Sequence, residues 1–276
     1  MTDVSVVMPT LGGEGILVAL QKLNSGTLIP HEILICVPAQ YVGNVPDGLA
    51  ENTRVVACPV KGQVAQRAFG FEVAKGELVL QLDDDVRLHP SSLERMVELL
   101  GTRENAAIGP RLFDHASGEY KSFLYPENGS LGAFERILGR VTNGAKGYEP
   151  GVVTLSGINL GVPIDHDERS HVEWLPGGCI LHRRRNLILT NFYPFDGKAF
   201  AEDLYHSNLL RSDGIELFRS SEAGADVVFG DSGASLNDHI NGMKKYHIAM
   251  VRFCEDTGRS KTRFVSFLLL NCIRLV

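Results

Sequence analysis

Hydrophobic and polar positions alternate in blocks over residues 1–100. Val4 to Met8 is a β-branched run closed by Pro9, and Ile16, Leu17, Leu20 and Leu23 follow at helical spacing. Glu32 to Val37 reads as a second buried strand ended by Pro38, and Arg54 to Cys58 as a short third. Val64 to Ala74 carries a helical pattern, with Gly76 where a helix C-cap glycine belongs. Glu77 to Leu82 predicts a fourth strand, and a helix follows through Leu100 with Ser91 or Ser92 as its N-cap. Short apolar strands alternating with helices predict βαβ units, an α/β fold and a mostly parallel sheet.

The pattern weakens after Pro110. Between Phe113 and Val172 the chain is rich in Gly, Asn and Glu, and only a short helix around Leu131 to Leu138 stands out. Trp174 to Arg184 reads as a turn leading into a strand, and Glu202 to Ser212 as a helix. Two short strands are expected near Glu216 to Arg219 and Asp226 to Phe229, then helices from about residue 241. No repeat or linker divides the chain. One domain is expected, with residues 1–112 as a ligand-binding first half, 113–240 as a variable second half and 241–276 as terminal helices.

Composition narrows the function classes. The net charge of −6 gives no electrostatic footprint for nucleic acid. Five cysteines without a CxxC pair argue against a zinc site or a disulfide framework and point to a reducing compartment. The start of the sequence has neither a basic nor a long apolar leader region, and no run reaches the roughly 20 apolar residues that cross a bilayer. Phe264 to Val276, preceded by Arg259, Lys261 and Arg263, reads as a packed terminal helix or as a peripheral membrane contact. A cytoplasmic location is expected, at the inner face of the membrane if that contact forms.

The sharpest chemical feature is Asp83-Asp84-Asp85, directly after an apolar strand. In open α/β sheets ligands bind beyond the carboxyl ends of strands, and carboxylates there suit a hard divalent cation that also holds phosphate oxygens. Extended backbone would point Asp83 and Asp85 to one side and Asp84 to the other. A solvated acidic turn is the plain alternative. Gly177-Gly178 would let backbone approach a ligand, and Trp174 offers an apolar face for a sugar ring or, equally, a buried anchor. Glu202-Asp203 opens a helix, where carboxylates are favoured in any case.

Four segments taken together resemble the family 2 glycosyltransferases. They are VSVVMPTL, AQRAFGFEVAKGELVLQLDDDVRLHPSSLERMV, WLPGGCILHRR and FDGKAFAEDLYHSNLLRSDG, in the family's order. The resemblance implies the GT-A fold, an inverting transfer from a nucleotide sugar and dependence on Mn²⁺ or Mg²⁺. It sets Pro9, Thr10, Arg67, Asp83, Asp84, Trp174, Gly177 and Gly178 around the donor. It makes Asp85, with Asp83 and His239, the metal ligands, and Arg67 a partner of the diphosphate or of the aspartates. Asp203 or Glu202 would be the general base, with His206 or Asp231 next in line. One departure concerns the base: the second strand ends in Cys36-Val37-Pro38-Ala39-Gln40, without the family's carboxylate, so a UDP-sugar is only the default donor. The acceptor is expected to be a saccharide or lipid-linked hydroxyl in polysaccharide or glycolipid synthesis. A sugar nucleotidyltransferase is the alternative enzyme, although Ile16-Leu17-Val18 follows the glycine loop in place of a basic residue. An inactive GT-A-like binding protein is the alternative outside catalysis.

Overall fold

The computed structural model describes residues 3–126, 129–195, 199–228 and 236–274; Asp231 lies outside them. β1 (Val4–Pro9) is buried along its whole length. Its alternate residues feed two cores. Val4, Val6 and Met8 pack with Ile33 and Ile35, under α1 (Gly15–Asn24) and α3 (Ser92–Gly101). Val7 packs with Leu34 and Cys36, under α2 (Gln63–Val73). Burying each such side chain contributes about 1.5–3 kcal/mol, which explains why the strands read as continuous apolar runs.

β2 (Glu32–Pro38) and β3 (Thr53–Cys58) extend the sheet on one side of β1, and β4 (Leu78–Leu82) pairs with it on the other, all parallel. Beyond β4 the direction changes. β8 (Cys179–Arg183) is antiparallel to β4 and to β6 (Ala106–Asp114). β9 (Glu216–Val227) is parallel to β6, and β5 (Val86–Leu88) and β7 (His171–Val172) pair antiparallel with β9. The order is β3-β2-β1-β4-β8-β6-β9-β5, with β7 off that path. The sheet is therefore mixed, where the sequence pattern predicted a mostly parallel one. An apolar central strand buried on both faces looks the same in either direction.

Three local expectations change. α2 ends at Val73, so Gly76 is not its C-cap. A Cβ at Gly76 would lie 2.6 Å from the Ser5 amide nitrogen and 2.7 Å from the Asp3 carbonyl. That glycine lets the chain pass against the start of β1. Ser91 stands at the N-cap of α3 without a side-chain cap bond. Ser92 instead donates to the Gly224 carbonyl at 2.6 Å and accepts from its amide at 2.8 Å, tying α3 to β9. The strands expected near 216–219 and 226–229 join in one strand, β9, as far as Val227, with Phe229 outside the described residues; its register against β6 shifts between Gly109 and Arg111. Pro110 falls at that shift, where its missing N–H is tolerated.

A third core, around Trp174, Leu160, Phe253 and Phe264, lies under α4 (Ala133–Asn143), α5 (Glu202–Ser212), α6 (Leu236–Asp256) and α7 (Lys261–Arg274). The segment without periodicity thus packs through irregular loops against helices about 100 residues later, as where Cys254 meets Ser156 and Gly157.

Close approach of α2 to the sheet depends on Gly70, where a Cβ would meet Cys36 Sγ and Val7 Cγ1, each at 2.5 Å. Gly70→Ala is expected to destabilise the fold by about 1–3 kcal/mol, the usual cost of overpacking. Urea unfolding measures this; a midpoint equal to wild type would show that the layers can separate freely.

Candidate active site

A cleft of about 510 Å³ opens beyond the carboxyl ends of β1 and β4. Three segments line it: residues 9–12, residues 61–63 with Gln66, and Asp83 to Asp85. The first is fixed by backbone. Thr10 donates its amide to the Cys36 carbonyl at 3.0 Å, and Gly13 donates to Asn44 at 3.0 Å. Gly12, at φ +96, has Asn44 where a side chain would go. Gln66 is buried and donates to the carbonyls of Thr10 (2.8 Å) and Cys36 (2.7 Å), so it joins β1, β2 and α2 at the cleft floor.

The three aspartates form a tight turn, not an extended strand, so the expected alternation of their side chains does not apply. Asp83 donates its amide to Gly178 at 2.8 Å, Val86 donates to Asp83 at 3.2 Å, and Val228 donates to Asp85 at 3.0 Å. All three line the cleft. The Asp83 carboxylate accepts from Arg67 at 2.6 Å and from Gln63 at 3.0 Å. Asp84 accepts from the Thr10 hydroxyl. Burial first, and the neighbouring Asp83 charge second, raise the Asp84 carboxyl above its ordinary range against that hydrogen bond.

Behind the turn, Arg67 bridges two parts of the chain. Its side chain is only 4% exposed, and it donates to Asp83 at 2.6 Å and to Glu202 at 2.5 Å. Burial alone would lower its basicity, but the two carboxylates hold it well above the ordinary arginine range. Arg67 is thus a support of the aspartates. Gly177 and Gly178 leave room for this ion triad. A Cβ on Gly177 would strike Glu202, and one on Gly178 would lie 3.3 Å from the Asp83 carboxylate. Their backbone approaches the site's own carboxylates.

Glu202 and Asp203 stand at the N-terminus of α5, after Ala201 in the left-handed region (φ +57). Their roles divide by position. Glu202 is buried against Arg67. Asp203 is half-buried and accepts the Leu204 amide at 3.0 Å. Its carboxyl is pushed up to about 7, by burial first and by Glu202 second. Tyr246 of α6 is close enough for Asp203 to add to the rise that burial causes in its phenol, to about 12.

Other expected residues fall elsewhere. Pro9 and Thr10 line the cleft. Trp174 is 3% exposed, donates to the Leu160 carbonyl at 2.7 Å and meets Phe123 edge-on, so it anchors the third core and offers no face to a sugar. His239 is exposed in the first turn of α6 and is not among the cleft's lining residues. Gln40 is exposed and also outside that lining. Sequence reading missed Gln63, Gln66 and Lys61. Lys61 sits at the cleft with its ammonium 3.1 Å from the Tyr41 hydroxyl and 4.9 Å from that ring's centre. Only the proximity of these residues to Arg67 in the sequence hinted at them.

Among the described residues no group of three His, Cys, Asp or Glu side chains is placed to hold a metal alone. The cleft's donors are hard carboxylate oxygens, and a divalent cation that arrives with phosphate oxygens needs only one or two of them. The donor set fits such a cation, and does not fit one held by protein alone.

The cleft thus lies at the carboxyl edge of an α/β sheet, beside an aspartate turn. Residues 5–151 match the family model described as "Glycosyl transferase family 2", and the chain belongs to that family. No curated protein matches it in sequence. In fold it is similar to GalNAc-T7, whose crystal structure contains UDP, GalNAc and Mn²⁺, with TM-score 0.61 at 15% identity over 92% of this chain and 48% of that one. It is also similar to residues 1–349 of TarS from S. aureus, with TM-score 0.50 at 13% identity over 96% of this chain and 71% of that one. The likeness at these identities is one of fold. The chain spans about half the length of the GalNAc-T7 chain.

Arg67→Met would leave two carboxylates facing each other in a poorly solvated site. It is expected to cost about 3–5 kcal/mol in chemical unfolding, the usual penalty for removing one partner of a buried ion pair. Adding Glu202→Gln should recover part of that loss; additive losses would show that Arg67 and Glu202 are not coupled.

Proposed function

We propose that the chain transfers a sugar from a nucleotide diphosphate donor to an acceptor hydroxyl with inversion at the sugar carbon. The observation that carries this reading is the tie through Arg67, which joins the cleft's Asp83 to Glu202 and leaves the adjacent Asp203, half-buried and with its carboxyl raised to about 7, outside the ion triad. A general base works best with such a pKa. Asp203 takes the acceptor proton as the acceptor oxygen attacks the anomeric carbon, and the nucleoside diphosphate departs on the opposite face. Glu202 and Arg67 keep Asp203 and Asp83 in place. Asp85 and Asp83 would hold a divalent cation, Mn²⁺ or Mg²⁺, which when bound offsets the diphosphate charge. The donor is a UDP-sugar by default, bound by the half formed by residues 1–112. Residues 113–240 shape the acceptor site, with a saccharide or lipid-linked acceptor of polysaccharide or glycolipid synthesis.

Asp203→Asn is expected to bind UDP in the presence of Mn²⁺ like wild type and to lose roughly 10²–10⁴-fold in kcat, the usual contribution of a general base. Wild-type turnover should rise with pH through about 7, as the carboxyl ionises. The same group lowers stability as pH rises from about 4 to 7, because the folded state keeps a proton that the unfolded chain has released. Titration calorimetry with UDP and a pH profile of turnover test this. A dead Glu202→Gln beside an active Asp203→Asn would exchange the two roles.

We also propose a peripheral membrane contact, at the inner face in a cytoplasmic enzyme. No helix among the described residues is long and apolar enough to cross a bilayer. α6 and α7 nevertheless expose Met243, Ile248 and Leu269 beside Lys244, Lys245 and Lys261. Phe264 and Phe267 are buried, so α7 is part of the core and deleting it is a poor test. Met243→Glu with Leu269→Glu is expected to abolish salt-sensitive sedimentation with anionic vesicles. Wild-type protein that stays in the supernatant at low salt would end the idea.

A further inference from the structure

Arg219 lies in β9, on the half of the sheet beyond β8, and is 4% exposed. It is opposite Gly109 of β6, while Arg111 is opposite Gly224. The two arginines are therefore two residues apart along β6, and Ser220 to Ala223 bulge from β9 between Arg219 and Gly224. The bulge is ordered: the Ser220 hydroxyl accepts the amides of Glu222 (3.2 Å) and Ala223 (3.1 Å). The guanidinium of Arg219 stacks over Tyr120 (5.5 Å) and Phe123 (5.8 Å), and that of Arg111 lies 6.0 Å from the centre of the Phe113 ring. Nε and Nη2 of Arg219, Nε of Arg111 and Nε2 of nearby His166 are all buried without a hydrogen-bond partner.

No carboxylate among the described residues pairs with either arginine. Asp114, on the same strand as Arg111, is taken by Lys121 at 3.0 Å. Glu168 is taken by the amide (3.1 Å) and hydroxyl (2.9 Å) of Ser221. Burial first, and Arg111 with it, work against the charge on Arg219, with Tyr120 favouring it; burial first, and then Arg219, lower His166. Aromatic faces offset only part of the cost of a desolvated cation. Buried donors without acceptors call for a partner, an ordered water or an ion. The pair belongs to none of the aspartate cleft's lining segments.

We propose that Arg219 and Arg111 seat an oxyanion, a phosphoryl or carboxylate group carried by the acceptor. A guanidinium recognises both groups through paired N–H donors. The assignment of the anion to the acceptor rests on the transferase reading; the anion seat itself does not.

The probe is inorganic phosphate, titrated at constant ionic strength against chloride while thermal unfolding is followed. Wild type is expected to show a saturable rise in Tm of several degrees. Arg219→Met should lose that rise and unfold, without phosphate, at or above the wild-type temperature, because a stranded cation has gone. Arg111→Met, at a half-buried position, should weaken the response and serves if Arg219→Met does not fold. UDP binding with Mn²⁺ should stay at the wild-type level in both variants. A full phosphate response in both would overturn the seat. An Arg219→Met chain destabilised equally with and without phosphate would reduce the guanidinium to aromatic packing and overturn it too. Phosphate that raises the KM for acceptor at constant kcat supports an acceptor-borne anion, and an unchanged KM overturns that part. Wild type that binds phosphate but no UDP would sink the transferase reading alone.

Discussion

One guanidinium holds the site together. Arg67 reaches from a helix of the first half to a carboxylate after β4 and to another at the start of α5, 135 positions further along the chain. Neither partner would be stable there without it, since an unpaired buried carboxylate costs several kcal/mol. The rest of the centre is arranged around this need. Gly177 and Gly178 have no side chains because the carboxylates occupy that space. Gln63 supplies Asp83 with a second donor. The imidazoles behind Arg67 are neutral: burial first, then Arg67, takes His206 down to about 3, and His182 lies well below the ordinary range. Among the described residues no second cation pairs with Glu202 or Asp83. A gap of about 10 Å³, lined in part by Arg67, Gln81 and His206, is close to the size of one water.

This arrangement divides labour between adjacent residues. Asp83 and Glu202 are bound to Arg67, so their charges are neutralised inside the protein. Asp85 is exposed in the cleft and Asp203 is half-buried. Asp84 and Asp85, like Asp203, make no ion pair with the arginine, and Asp83 still lines the cleft beside them. One ion triad sets which carboxylates the arginine neutralises.

Much of this was legible in the sequence, and unevenly so. The strands and helices up to Leu100 follow from apolar blocks and their punctuation, because each is buried by its sequence neighbours. Strand direction was not legible, since CILHR is buried against β4 and β6 whichever way it runs. β6 was hidden by Gly109-Pro110, a strand break in sequence terms that falls at a register shift. The segment before Trp174 has no period because its core partners are α6 and α7. In the site, Asp83 to Asp85 and Glu202-Asp203 were visible as unusual acid clusters. The ties between them were not, because Arg67 and Gln66 are common helix residues until their depth is known. Trp174 misled for a related reason: a lone tryptophan is apolar surface or apolar core, and only the loop over it decides.

The reversal at β8 has a consequence for synthesis. β1 to β4 are contiguous in sequence and can assemble early, but the free edge of β4 has no partner until β8 is made. That is about 100 residues later, on the order of 5–20 s at ordinary translation speeds. During this interval a buried, apolar strand presents unpaired backbone groups, the kind of edge that recruits other chains. Arg67 and Asp83 are already made by then, while Glu202 comes later still. The nascent first half is thus a sheet with an open seam and an incomplete charge cluster, and closure by β8 and α5 seals both.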